Sequence, residues 1–152
     1  MSTTILLATD GSPSAELATQ RALDLALATG WALRTVVVWH TPVVAAMGYN
    51  GVTALPELND AERDQAQHIA ASVVERAKKL GVEASSDVRQ GDPADEICAA
   101  AAAIDAAVIV VGTHGWGSLK RLFLGSVSTR VVHEAPCAVL VVRDAAAVAA
   151  AA

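Results

Sequence analysis

Apolar positions fall in short runs separated by longer amphipathic stretches. Runs at residues 3–9, 32–39, 84–89, 106–111 and 138–143 predict five β-strands. The run from Ala106 to Val111 is almost unbroken, which predicts a central parallel strand covered on both faces. Between the runs the spacing turns helical. Ser12 and Pro13 open a helix that ends at Gly30, with Glu16 in its first turn and Ala15, Ala18, Ala22, Leu25 and Ala26 on one face. A long helix is predicted from about Asn59 to Leu80, stopped by Gly81. A third opens at Asp92-Pro93 and reaches Ala103, and a fourth spans Ser126 to Glu134. Residues 40–58, with Pro42, Gly48, Gly51 and Pro56, read as a mobile loop with a helical start of its own. Strands alternating with helices predict a parallel α/β sheet with helices on both faces and right-handed crossovers.

The connection after the fourth strand carries the chemistry. Gly112 and Gly115 are separated by two residues, Gly115 and Gly125 by nine, and Ser126 follows at a predicted helix start. Glycine lets backbone amides approach an anion with no Cβ in the way. A helix N-terminus adds N–H groups without helical partners and a partial positive charge. Together these describe a phosphate cradle. The spacing is neither a Walker loop nor a dinucleotide fingerprint, and the first strand ends in Thr9-Asp10-Gly11-Ser12-Pro13, which supplies neither. Any one of these glycines alone reads as a turn; four positions at this spacing favour the cradle.

In this motif the chain resembles the universal stress proteins of the nucleotide-binding kind, whose pattern is Gly-x2-Gly-x9-Gly-Ser/Thr. The resemblance extends to Ile5–Ser12, to Gly91–Glu96 and to Ala135–Val142, so it covers about residues 3–143. It implies a doubly wound, open five-stranded parallel sheet of order 3-2-1-4-5, adenine nucleotide alpha hydrolase-like. One domain would span 1–144, followed by an Ala-rich tail at 145–152 to which no role is assigned. The implied ligand is ATP, or AMP or ADP, with Mg. The ligand would sit where the winding reverses, between strands one and four. The resemblance places Asp10 at the nucleotide, Ala8 and Thr9 along the base, and the backbone of Val38 at the adenine edge. Gly112, Thr113, His114, Gly115, Trp116, Gly117 and Ser118 would wrap the phosphates. Gly125 and Ser126 would follow, with Ser126 capping its helix and donating its hydroxyl, and Val127 and Ser128 would supply further N–H groups. Bland readings stand beside these. Asp10 equally reads as a cap of the first helix, Ser126 as a cap only, and Lys120 and Arg121 as a solvated face. Trp116 stands where family members often carry arginine; an indole N–H donates one bond but supplies no positive charge. The resemblance further implies a homodimer through strand 138–142 and a cytoplasmic stress-signalling role.

Bulk properties narrow the alternatives. At 152 residues and 53% apolar, the chain is long enough for one domain with a substantial core. Aromatics make up only 3%, so that core is built from Val, Leu, Ile and Ala. A net charge of −5 with no basic stripe argues against nucleic-acid binding. No signal peptide or membrane span is predicted. Cys98 and Cys137 read as two thiols, not a disulfide, and neither they nor His40, His68, His114 and His133 have zinc-site spacing. His114 invites a catalytic reading, but no nucleophile with an orienting carboxylate is evident around it, so no catalytic residue and no metal ligand is assigned. An ATP-consuming enzyme of the pyrophosphatase-loop type would need a Ser-Gly-Gly-x-Asp-Ser-like loop after the first strand. A phospho-accepting receiver would need an aspartate where Arg89-Gln90-Gly91 stands. A scaffold that had lost nucleotide would not need the intact motif. ATP turnover, if any, is expected to be slow.

Overall fold

The structure is a computed structural model that describes residues 2–40, 56–114 and 124–143. Among these residues strands and helices alternate along the chain: β1 (Thr4–Ala8), α1 (Pro13–Thr29), β2 (Ala32–Trp39), α2 (Pro56–Lys79), β3 (Ala84–Gln90), α3 (Pro93–Ala103), β4 (Val108–Gly112), α4 (Ser126–Glu134) and β5 (Ala138–Val142). The strands form one parallel sheet of order β3-β2-β1-β4-β5, the order implied by the resemblance.

Side-chain alternation along the strands builds two cores. Ile5, Leu7, Val110 and Val142 point to one face, where they meet Ala18, Ala22, Leu23 and Ala26 of α1 and Val73 and Ala77 of α2. Leu6, Ala8, Val36, Ile109 and Val111 point to the other, where they meet Ala94, Ile97, Ala100 and Ala101 of α3 and Val131 of α4. Alanine dominates the helix side of both contacts, so the helices lie close on the sheet. The buried stripe of α1 also includes Thr19 and Leu23, while Leu25 is only partly buried at its margin.

Element ends depart from the sequence expectation for local reasons. The long helix begins at Pro56, not Asn59, because a fixed φ suits proline to a first helical turn. β4 begins at Val108, not Ala106, because Ala106 N–H donates to Ala101 O and closes the turn after α3, with Asp105 at φ 49°. The loop expected at 40–58 falls largely outside the described residues, as does the tail at 145–152. Among the described residues no helix is long and apolar enough to cross a membrane.

Candidate nucleotide-binding crevice

β1 pairs with β2 on one side and β4 on the other, and the connections from these neighbours leave on opposite faces of the sheet. This is the switch point of a doubly wound sheet, and its C-terminal crevice is where such folds take ligands. The structure brings two predicted segments together there, residues 8–10 and 112–114, with the start of α4 beside them.

On the β1 side the chain turns through its own side chains. Thr9 N–H still bonds to Val36 O at 3.2 Å, so the ladder outlasts the strand by one residue. Thr9 Oγ1 then accepts from Gly11 N–H at 3.2 Å, and Asp10 Oδ1 from Ser12 N–H at 2.9 Å. Ser12 is the N-cap of α1, its hydroxyl accepting from Ala15 N–H at 3.3 Å. The capping reading of Asp10 therefore passes to Ser12, and Asp10 shapes the turn one step earlier. Ala8 and Thr9 are both buried.

Val38 is placed by parity. Ala32 N–H donates to Thr3 O and Val36 O accepts from Thr9 N–H, so even-numbered β2 residues bond towards β1. Leu33 N–H donates to Glu83 O and Trp39 O accepts from Gly91 N–H, so odd-numbered residues bond towards β3. Val38 thus directs its N–H and C=O to the β1 side, two residues beyond the Ala8–Val36 pair that ends that ladder. One peptide donor and one acceptor are thereby directed to the β1 side at the C-terminal end of β2.

On the β4 side, two of the motif glycines have packing reasons of their own. A Cβ on Gly112 would lie 2.7 Å from Ser14 Oγ and 2.8 Å from Ser14 O, so the start of α1 occupies the space a side chain would need. A Cβ on Gly125 would lie 3.0 Å from Thr113 O, and Gly125 N–H donates to that oxygen at 2.7 Å. Ser14 Oγ accepts from Thr113 N–H at 3.0 Å and His114 N–H at 3.3 Å. Ser128 Oγ donates to Gly112 O at 2.7 Å. The first part of the loop is therefore clamped between a serine of α1 and a serine of α4. His114 Nε2 is buried there without a hydrogen-bond partner among the described residues.

Ser126 does not cap its helix. The N-cap of α4 is Gly125, with no side-chain cap bond, and Ser126 is the exposed first helical residue. Thr129 N–H makes the first intrahelical bond, to Gly125 O. The amides of Ser126, Val127 and Ser128 precede it, which is the donor set an anion needs. Gly115, Trp116, Gly117 and Ser118 lie outside the described residues, as do Lys120 and Arg121.

Ser14 was not singled out in the sequence. The available signal was its place one residue after Pro13, in the first turn of a helix leaving the switch-point strand. Two arginines elsewhere are committed to carboxylates. Arg130 bonds to Glu134, to Asp95 at 2.5 Å and to Asp92 at 2.7 Å, and these carboxylates, Glu134 foremost, raise its pKa further. Arg89 bonds to Asp87 at 2.8 Å and Glu96 at 3.4 Å. Burial pushes the Cys98 and Cys137 thiols up, away from thiolate reactivity. Among the described residues no three metal-ligating side chains cluster.

The sequence profile of the universal stress protein family matches residues 1–143. The chain belongs to the universal stress protein family. A universal stress protein of Thermus aquaticus is 41% identical over 142 residues, covering 92% of this chain and 98% of that one. Another, of Bacillus subtilis, is 32% identical over 144 residues, covering 91% and 97%. Among solved structures, a universal stress protein from Lactobacillus plantarum superposes with a TM-score of 0.76 at 25% identity, covering 93% of this chain and 97% of that one. A universal stress protein in complex with cAMP superposes with a TM-score of 0.68 at 25% identity, covering 92% and 96%.

Proposed function

We propose that this universal stress protein binds an adenine nucleotide in the crevice between β1 and β4, with ATP, ADP or AMP as ligand and Mg accompanying the longer phosphates. One observation carries the reading: the peptide edge of Val38 and the amides of Ser126–Ser128 face the same end of the sheet. The first suits a base and the second an anion. The family member solved with cAMP supports the same chemistry class. Ala8 and Thr9 would border the base, and Asp10 the ribose, a phosphate or a water-held Mg. Thr113, His114, Gly125 and Ser126–Ser128 would surround the phosphates, and the motif adds Gly115, Trp116, Gly117 and Ser118.

The protein is a binder and not an efficient enzyme. An efficient ATPase positions its attacking water with a dedicated group; this crevice offers backbone donors and hydroxyls, with Asp10 engaged in the turn before α1 and His114 as the one side chain that could act as a base. Cradling that favours ground state and transition state alike tightens binding without raising turnover. In the cell this describes a cytoplasmic stress-signalling sensor, acting as a homodimer through its conformation or partner contacts.

Isothermal titration with ATP·Mg, ADP and AMP tests the reading. Saturable binding is expected, strongly weakened by Gly115→Val, because a branched side chain in the motif would block the amide cradle. Equal affinity in the two proteins would remove this site. Steady-state phosphate release should stay below about 1 per second, the lower end of ordinary enzymes. A faster rate abolished by His114→Ala, with ATP still bound, would make the protein a catalyst.

A further inference from the structure

We infer that Ser14 is a positioning residue for the ligand's phosphate, acting through the peptide of Thr113. The inference rests on the nucleotide-binding reading above. Its hydroxyl oxygen accepts two backbone N–H bonds, from Thr113 at 3.0 Å and His114 at 3.3 Å. It also lies 3.3 Å from Thr113 Oγ1. On its other side the Thr113 peptide accepts the 2.7 Å bond from Gly125 N–H, and Gly125 is the N-cap of α4. A continuous chain thus runs from the first turn of α1, through Ser14 Oγ and the Thr113 peptide, to the cap that sets where the Ser126–Ser128 amides stand.

Two further features fit a fixed clamp. Gly112 has no Cβ at the spot where one would meet both the hydroxyl and the backbone of Ser14. From the opposite face, Ser128 Oγ holds Gly112 O at 2.7 Å and reaches Thr113 O at 3.4 Å. The backbone polar groups of Gly112 to His114 are therefore largely engaged before any ligand arrives. The amides of Thr113 and His114 serve the clamp, and the α4 amides are left for the anion. Such a division makes the donor geometry ready-made, so binding does not have to order it.

The base end of the crevice is separate. Val38 is placed by the β2 register, whereas the hydrogen bonds of the Ser14 hydroxyl described above go to Thr113 and His114. Loss of the Ser14 hydroxyl should therefore weaken phosphate recognition and spare adenosine. The experiment measures adenosine and AMP binding to the wild type, Ser14→Ala and Ser14→Thr, with amide hydrogen exchange at Thr113 and His114 in each. In Ser14→Ala we expect AMP binding about tenfold weaker, the scale of one lost hydrogen-bond link. Adenosine binding should be unchanged and the two amides should exchange faster. Ser14→Thr keeps the hydroxyl and should restore AMP binding. Equal weakening of adenosine and AMP, no change in either, unchanged exchange at the two amides, or a threonine variant as weak as the alanine one would each overturn the inference. A wild type that binds neither compound would instead overturn the nucleotide reading; exchange at Thr113 and His114 would still report on the clamp.

Discussion

At the level of single residues, Gly112 carries two explanations that differ in what they demand of the protein without ligand. The phosphate reading needs a bare backbone for an anion to approach. The packing reading needs a bare backbone for Ser14, whose carbonyl and hydroxyl lie within 2.8 Å of where a Cβ would stand. Only the second makes Gly112→Ala destabilising in the absence of nucleotide. The obstacle is backbone at the start of α1, which cannot rotate away, so a loss of about 1–3 kcal/mol is expected. Thermal unfolding of the ligand-free variant checks it, and an unchanged midpoint would return Gly112 to a purely ligand-facing role. The motif was legible in the sequence because glycine and serine at fixed spacing are rare enough to notice. The clamp was not, since the partner of Thr113 and His114 lies 99 residues or more away in the chain. Val38 was placed only through the family resemblance, because its contribution is a peptide group and no side-chain pattern reports it. The misplaced cap at Ser126 has a similar cause: Gly125 and Ser126 are both good N-cap residues, and tertiary bonding of Gly125 to Thr113 decides between them.

At the level of elements, α4 is held at both ends of its first two turns. Ser128 and Val131 fix it to the sheet, and Arg130 ties it to the start of α3 through Asp92 and Asp95. Asp92 has a second task as the N-cap of α3, accepting from Ala94 N–H at 3.0 Å and Asp95 N–H at 3.2 Å. The Asp95 backbone bond, with Arg130 adding its charge, holds the Asp92 carboxyl below the usual range. A carboxylate whose pKa is lower folded than unfolded adds stability above the unfolded value of about 3.9 and loses it as pH falls through the folded value. Urea unfolding midpoints measured from neutral pH downward should therefore decline across that acid window. In Asp92→Asn the decline should be shallower, because one of the groups responsible is gone. Parallel curves for the two proteins would mean that the cap and the arginine contribute nothing that titrates. Helix starts at Pro13, Pro93 and Ser126 were readable from proline and cap residues. The salt-bridge tie between α3 and α4 was not, since exposed Asp, Glu and Arg read alike whether paired or solvated.

At the level of the whole molecule, the sheet has two edges of opposite character. β3 ends it on one side with Ala-Ser-Ser-Asp-Val-Arg-Gln, and its Asp87 and Arg89 pair across the strand end. Charged and polar side chains of this kind discourage strand addition. β5 ends it on the other side with Ala-Val-Leu-Val-Val, in which Ala138 and Leu140 are exposed. Val132 of α4 is also among the exposed large hydrophobics. An apolar strand that pairs on one side only among the described residues is a recruiting surface. A second copy of this chain satisfies it most simply, strand against strand about a two-fold axis. The proposed homodimer through 138–142 follows from this contrast between edges, which the strand order exposes and the local sequence sharpens. Leu140 is the position to change: at 40% exposure it is open enough for a lysine stem to lie along the same surface with its charged head in water. Leu140→Lys places a charge in the proposed seam while leaving the β4–β5 ladder intact. Light scattering at micromolar concentration should give a dimer for the wild type and a monomer for Leu140→Lys, with the thermal midpoint of the isolated fold little changed. A wild type that is already monomeric would end the proposal. A variant that stays dimeric would move the contact to another face.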